Sequence, residues 1–224
     1  MRLDPGGRLL IFQHPDFPGE MQGMTKIKRA ILSCYDKTGL VVLGRLLEEM
    51  GVALISTSGT LQTLRDAGIS ATSIADYTGY PELMNGRVKS LHLKVHGGLL
   101  GIRDSKLHEE QRQAHDIEWI DMVVVNLQPV EELTRQPGIT PSEVFEQIDI
   151  GGTAMLRSAA KNYRYVTPVT QPRRYAAIMH ELRANEGAVS YALRHRLAQE
   201  AFATTAQYDQ AIADYLQQHE PPAE

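Results

Sequence analysis

The segment Gly86-Arg87-Val88-Lys89-Ser90-Leu91-His92-Leu93-Lys94-Val95-His96-Gly97-Gly98 gathers three cations and two imidazoles into one short run of a chain whose formal net charge is −4. Lysine and arginine at this density can hold an anionic group, or stabilise negative charge that develops on an oxygen during a reaction. Two shorter stretches offer related chemistry. In Tyr35-Asp36-Lys37-Thr38-Gly39 and in Ser56-Thr57-Ser58-Gly59-Thr60, an apolar run ends in small, hydroxylic or glycine residues just where an amphipathic run begins. Free backbone N–H groups at such a strand-to-helix turn, with the positive end of the helix dipole behind them, form a phosphate cradle. Lys37 adds a full charge to the first of them. Neither turn matches a Walker or dinucleotide fingerprint, and serine, threonine and aspartate are also ordinary helix caps.

The spacing of the basic segment leaves its backbone open. Ser90, His92, Lys94 and His96 alternate with Leu91, Leu93 and Val95, which predicts opposite faces of an extended strand. A solvated basic edge strand is one reading of that pattern. The i, i+4 pair His92 and His96 is the other candidate, as metal ligands on a helix. It lacks the catalytic glutamate of the zincin motif and has a lysine between the two imidazoles.

The elements that must position these residues follow from periodicity. From Ile27 onward short apolar runs alternate with amphipathic stretches, which favours a mostly parallel sheet flanked by helices. IKRAILSCY, VALIST and DMVVVNL read as strands, the last as a buried central one. Leu40, Leu43, Leu46, Leu47 and Met50 mark a helix stopped by Gly51, and TLQTLRDAG a second. Further helices are predicted over TAMLRSAAKN, Arg173 to Ala184 and Val189 to Leu216, with a strand near Tyr165 to Val169. The first half is therefore βαβα and the last third helical.

Composition narrows the function. With 42% hydrophobic residues in 224 the chain can build a core, and 23 basic against 27 acidic side chains exclude the general cationic surface of a nucleic-acid binder. Cys34 is the single cysteine, which excludes an internal disulfide framework and suits a reducing compartment, with cytoplasm the expected location. No window approaches the roughly 18 apolar residues of a membrane span. Residues 1–24, rich in proline and glycine, are expected to be a disordered extension dispensable for activity, residues 25–217 a single domain, and 218–224 a flexible tail.

Six segments read together carry more than any one of them. IKRAILSCYDKTGL, ISTSGT, ADYTGYPELMNGRVKSLHLKVHGG, IDMVVVNLQPV, IDIGGTAMLRSAAKNY and AFATTAQYDQAIADYL resemble, in order and spacing, the cyclohydrolase domain of the bifunctional purine-biosynthesis enzyme, which joins a formyltransferase to inosine monophosphate (IMP) cyclohydrolase. The resemblance covers about Ile27 to Leu216, without a counterpart of the family's transformylase domain. It implies a methylglyoxal-synthase-like three-layer α/β fold, no metal or other cofactor, a homodimer, a purine-pathway ribonucleotide as substrate and a separate formyltransferase as a partner. By position in the family's motifs, Lys89, Asp149, Lys161 and Gln128 fall where catalytic or substrate-orienting residues lie. Lys37, Thr38, Ser58, Gly59, Thr60, Arg87, Ser90, Asn126 and Gly151 fall where phosphate and base are held. Surface, capping and strand roles are the ordinary alternatives for Lys161, Asp149 and Ser90.

The chain also departs from the family's pattern. Gln128 stands where the family has tyrosine, and glutamine cannot replace it as an acid. Tyr35 stands for a serine, Leu93 for a proline, Ser90 for a threonine and Ser58 for a glycine. These changes cluster in segments expected to face the nucleotide. Three readings follow: an IMP cyclohydrolase, a specialised relative that closes or opens a similar ring in nucleoside natural-product synthesis, and a non-catalytic nucleotide sensor. Methylglyoxal synthase itself is disfavoured because that family's histidine-aspartate signature is missing near the N-terminus.

Overall fold

The computed structural model describes residues 23–134 and 137–219. In chain order the elements are β1 (Thr25–Lys26), β2 (Arg29–Cys34), α1 (Leu40–Glu49), β3 (Ala53–Ser56), α2 (Ser58–Asp66), β4 (Thr72–Ser73), α3 (Ile74–Thr78), α4 (Leu93–Leu100), α5 (Lys106–Ala114) and β5 (Met122–Asn126). They continue with α6 (Val130–Thr134), α7 (Pro141–Glu146), α8 (Ile150–Lys161), β6 (Thr167–Val169), α9 (Tyr175–Ala184), β7 (Ala188–Val189) and α10 (Tyr191–Gln218). The expected extension falls mostly on residues 1–22, outside the described residues, and residues 220–224 of the expected tail do so too.

Five strands form one parallel sheet in the order β4-β3-β2-β5-β6. Every residue of the MVVV run in β5 is buried, which an interior parallel strand requires because helices cover both faces. Alternate β2 residues point to different layers. Ala30 and Leu32 pack with Leu43 and Leu47 of α1 and Ile178 of α9, while Ile31 packs with Leu99 of α4 and Leu156 of α8. The result is the expected three-layer α/β architecture. A separate antiparallel ribbon pairs β1 with β7. Beyond the carboxyl end of the sheet, Val130, Leu133, Val144, Tyr208 and Tyr215 of α6, α7 and α10 make their own cluster.

The basic segment corrects the extended reading. Leu93 to Leu100 is helix, His92 is its N-cap, and the His92 ring nitrogen accepts a hydrogen bond from the Lys94 N–H at 3.1 Å. Apolar alternation over Leu91 to Val95 was too short to decide the period. Packing decides it: a Cβ at Gly98 would lie 2.4 Å from the Glu118 carbonyl oxygen, so the glycine lets α4 press directly on the segment leading into β5.

Candidate active site

In an open parallel sheet the direction of winding reverses at one point, and the crevice outside the carboxyl ends of the strands at that point is the natural ligand site. Here β2 leads outward to β3 and β4, while β5 and β6 lie on its other side. A cleft of about 720 Å³ opens at that place, over Cys34 at the end of β2, Thr57 after β3 and Asn126 at the end of β5. Its volume suits a molecule of mononucleotide size.

Three structures furnish its walls. The first is the uncapped start of α2. The Thr57 hydroxyl hydrogen-bonds Ser33 Oγ at 2.7 Å instead of capping its own helix, and the Thr60 hydroxyl is held between Cys34 N and O at 2.8 and 3.1 Å. The free N–H groups around Gly59 and Thr60 therefore face the cleft.

The second wall is a tight hairpin closed by paired Leu83 and Val88 backbone bonds. Its turn runs through Met84 (φ 53°), Asn85 (φ 56°) and Gly86 (φ 85°), and left-handed φ at methionine is unusual enough to mark a constrained presentation. From it Arg87, Lys89 and Ser90 reach the cleft. Arg87 forms a forked ion pair with Glu146 of α7, Nε donating to Oε2 at 3.0 Å and Nη2 to Oε1. The pair raises the pKa of Arg87 and lowers that of Glu146. Lys89, half-buried, has no carboxylate partner among the described residues.

The third wall is the start of α8. Asp149 is its N-cap: Oδ1 accepts the Gly152 N–H at 2.7 Å, while Oδ2 has no hydrogen-bond partner among the described residues. The Asp149 N–H donates to the Tyr208 hydroxyl oxygen at 3.0 Å, which seats the residue from α10. Two glycines make the approach possible. A Cβ at Gly151 would meet Ser90 Oγ at 2.4 Å, and one at Gly152 would meet Asp149 Oδ2 at 2.3 Å. Gln128, just past β5, completes the lining beside Asn126.

Nine of the thirteen expected site residues thus converge: Gly59, Thr60, Arg87, Lys89 and Ser90 from one side, Asn126, Gln128, Asp149 and Gly151 from the other. Asn126 is already occupied, its amide clamping both Asp36 N and Asp36 O at 2.7 and 2.9 Å. The remaining four lie elsewhere. Lys161 is exposed at the last position of α8, roughly 18 Å of helix from the Asp149 cap, because α-helix rise fixes that separation. The Thr38 N–H is taken up by Asp36 Oδ1 at 2.8 Å, and the Ser58 hydroxyl by Glu82 at 2.8 Å. Lys37 faces a neighbouring pocket of about 780 Å³. The histidine pair does not share a ligand position, since His96 Nδ1 lies 2.9 Å from Ser158 Oγ on α8 while His92 caps its own helix.

Sequence reasoning missed Glu146 and Tyr208. Tyr208 sits inside the AFATTAQYDQ segment that carried part of the resemblance, yet 59 residues separate it from Asp149 and no spacing rule joins them. Cys34, also in the lining, is an unreactive group here: burial pushes its thiol up to about 11.

Comparison with known proteins gives consistent matches. Residues 39–154 match the model of the MGS-like domain and residues 159–224 that of the AICARFT/IMPCHase bienzyme. The chain is 52% identical over 193 residues to the bifunctional purine biosynthesis protein PurH of Magnetococcus marinus, covering 86% of this chain and 36% of that one. It is 52% identical over 190 residues to PurH of Chlorobium chlorochromatii, with 85% and 36% covered. The chain thus spans about a third of the length of these curated relatives. Among solved structures, the crystal structure of ForH superposes with a TM-score of 0.74 at 34% identity, covering 84% of this chain and 97% of the other.

Proposed function

The chain belongs to the MGS-like domain family, with the IMP cyclohydrolase type of domain found in PurH, and from that premise we propose that it closes the pyrimidine ring of a formamido-imidazole-carboxamide ribonucleotide to give IMP. The observation that carries the reading is one cleft at the sheet's switch point, with a lysine on one wall and an aspartate oxygen on the other that both lack a partner among the described residues.

The carboxamide nitrogen attacks the formyl carbon, a C–N bond forms, and the formyl oxygen takes up negative charge. One proton leaves that nitrogen and a second leaves the formamido nitrogen, both ending on the former formyl oxygen; the C–O bond breaks as the ring C=N bond forms, and water departs. An amide nitrogen is a poor nucleophile, so the reaction needs a proton acceptor at nitrogen and a cation at oxygen. Asp149 Oδ2 serves as the acceptor and orienter. Lys89 stabilises the oxyanion and supplies a proton to the departing oxygen. Both reacting groups belong to one molecule, so holding them in register contributes much of the remaining rate. The α2 N-terminus supports the anionic end of the substrate, and Gln128 orients the base by hydrogen bonding.

The test is an ultraviolet assay of IMP formation from the formylated ribonucleotide. Wild type is expected to turn over, and Lys89→Ala to lose roughly 100- to 1,000-fold in kcat, the usual cost of removing one oxyanion donor. Undiminished turnover in Lys89→Ala would refute the assignment. Gln128 in the lining favours one second reading, a specialised relative acting on a modified purine-like nucleotide, because an amide reads hydrogen-bond patterns where a phenol would donate a proton. In that case wild type binds IMP without turnover, and Gln128→Tyr gains activity. A homodimer, a separate formyltransferase that supplies the substrate, and a cytoplasmic setting accompany the main reading.

A further inference from the structure

Tyr35 stands where two cavities meet. Together with Asn126 it lines both the catalytic cleft and the neighbouring pocket, whereas Lys37, two residues on, lines only the latter. The Tyr35 side chain is held across this boundary: its hydroxyl donates to Glu132 Oε2 of α6 at 3.1 Å, which raises the phenol's pKa. The backbone beneath it is fixed as well, since Tyr35 N donates to the Asn126 carbonyl at 3.3 Å and the Asn126 amide clamps the next peptide. Lys37 is left on the far side, its Nζ reaching only the Tyr35 carbonyl at 3.4 Å, with no carboxylate partner among the described residues. In that pocket it is accompanied by Thr170, whose deeply buried hydroxyl has no hydrogen-bond partner there either.

We infer that Tyr35 is a specificity-determining wall, which keeps the Lys37 ammonium away from any nucleotide seated over Asp149 and so sets how strongly the site reads a phosphate. The inference deepens the proposed function and rests on it. A substrate in the cleft then meets Arg87, already neutralised by Glu146, and the N–H groups of α2, but not the one cation of the first turn. Phosphate recognition is correspondingly weak while the ring is in place. Removing the ring joins the two cavities and brings Lys37 within reach of the anionic end.

The experiment measures dissociation constants of IMP and of inosine, the same molecule without phosphate, for wild type, Tyr35→Ser and Tyr35→Ser/Lys37→Gln. Tyr35 is 46% exposed, so the serine removes no core packing. The inosine-to-IMP ratio is expected to rise about tenfold in Tyr35→Ser, as a new charge-assisted bond to phosphate gives, and to fall back when Lys37→Gln is added. A ratio that does not rise, or a rise that survives Lys37→Gln, overturns the wall. So does a complex of wild type with IMP that shows Lys37 Nζ on a phosphate oxygen with the Tyr35 ring still bonded to Glu132. If none of the three proteins binds either compound, the purine-nucleotide reading itself falls, and the inference with it; that outcome differs from measurable IMP binding with an unchanged ratio.

Discussion

The two oxygens of the Asp149 carboxylate are used differently: one accepts the Gly152 N–H, and the other has no hydrogen-bond partner among the described residues, on a residue that lines the cleft. Asparagine caps a helix about as well as aspartate but brings no negative charge and a poorer proton acceptor. Asp149→Asn is therefore expected to hold its unfolding free energy within about 0.5 kcal/mol of wild type while ring closure falls at least about 100-fold. Asp149→Ala, which loses the cap too, should cost about 1 kcal/mol in addition. Denaturant melts beside the ultraviolet assay check both; an Asn variant with near-normal turnover would leave Asp149 a structural cap. Such residues were legible in the sequence because each lies within a short motif. Lys161 belongs to the same motif but lies at the far end of α8 from the Asp149 cap, because motif membership says nothing about which end of a helix a residue occupies.

At the level of elements, the packing of α4 on α8 contains a titratable group. His96 is half-buried there, with Nδ1 beside Ser158 Oγ and Nε2 buried without a partner among the described residues. Burial pulls its pKa below the ordinary 6.5, so the unfolded chain takes up the proton more readily than the folded one. Its contribution to stability is full above pH 6.5 and declines as the pH drops below that value. His96→Gln should remove this part of the slope. Thermal unfolding at about pH 7.5 and about pH 5.5 is expected to show a larger loss of Tm for wild type than for the variant; parallel losses would reject the idea. Strands and helices with long apolar runs, such as β5 and α1, could be read from the chain directly. The helix α4 could not, since five alternating residues fit either period until its glycine face met the Glu118 carbonyl. The short α6 and α7 carry too few turns for a period to show.

Across the whole molecule, Arg194 is a tie point. Only 1% exposed, it donates to the carbonyls of Val189, Tyr163, Arg164 and Gly23, the last three at 2.9, 2.9 and 3.0 Å. Burial, with Arg103 nearby, lowers its pKa to about 10, still well above neutral, so it stays charged. Without a carboxylate partner among the described residues, the charge is stabilised by carbonyl dipoles from the β7 end, the α8–β6 connection and the residues before β1. Arg194→Met leaves those carbonyls unpaired in the interior, and a loss of about 3 kcal/mol or more in denaturant unfolding is expected. A change below about 1 kcal/mol would show that water replaces the guanidinium. No sequence pattern exposed this residue, because its partners lie up to 171 positions away and arginine on a helix ordinarily reads as surface.

The sheet order also governs how the chain emerges during synthesis. One edge of β2 is satisfied early by β3, but the other waits for β5, whose Met122 pairs with Ala30. At ordinary elongation speeds the intervening stretch takes roughly 5 to 20 seconds to appear. Throughout that interval the nascent chain carries an apolar strand with an open ladder, the kind of edge that recruits other chains. Translation tempo between these two strands therefore bears on how much protein is recovered in native form, independently of how stable the finished fold is.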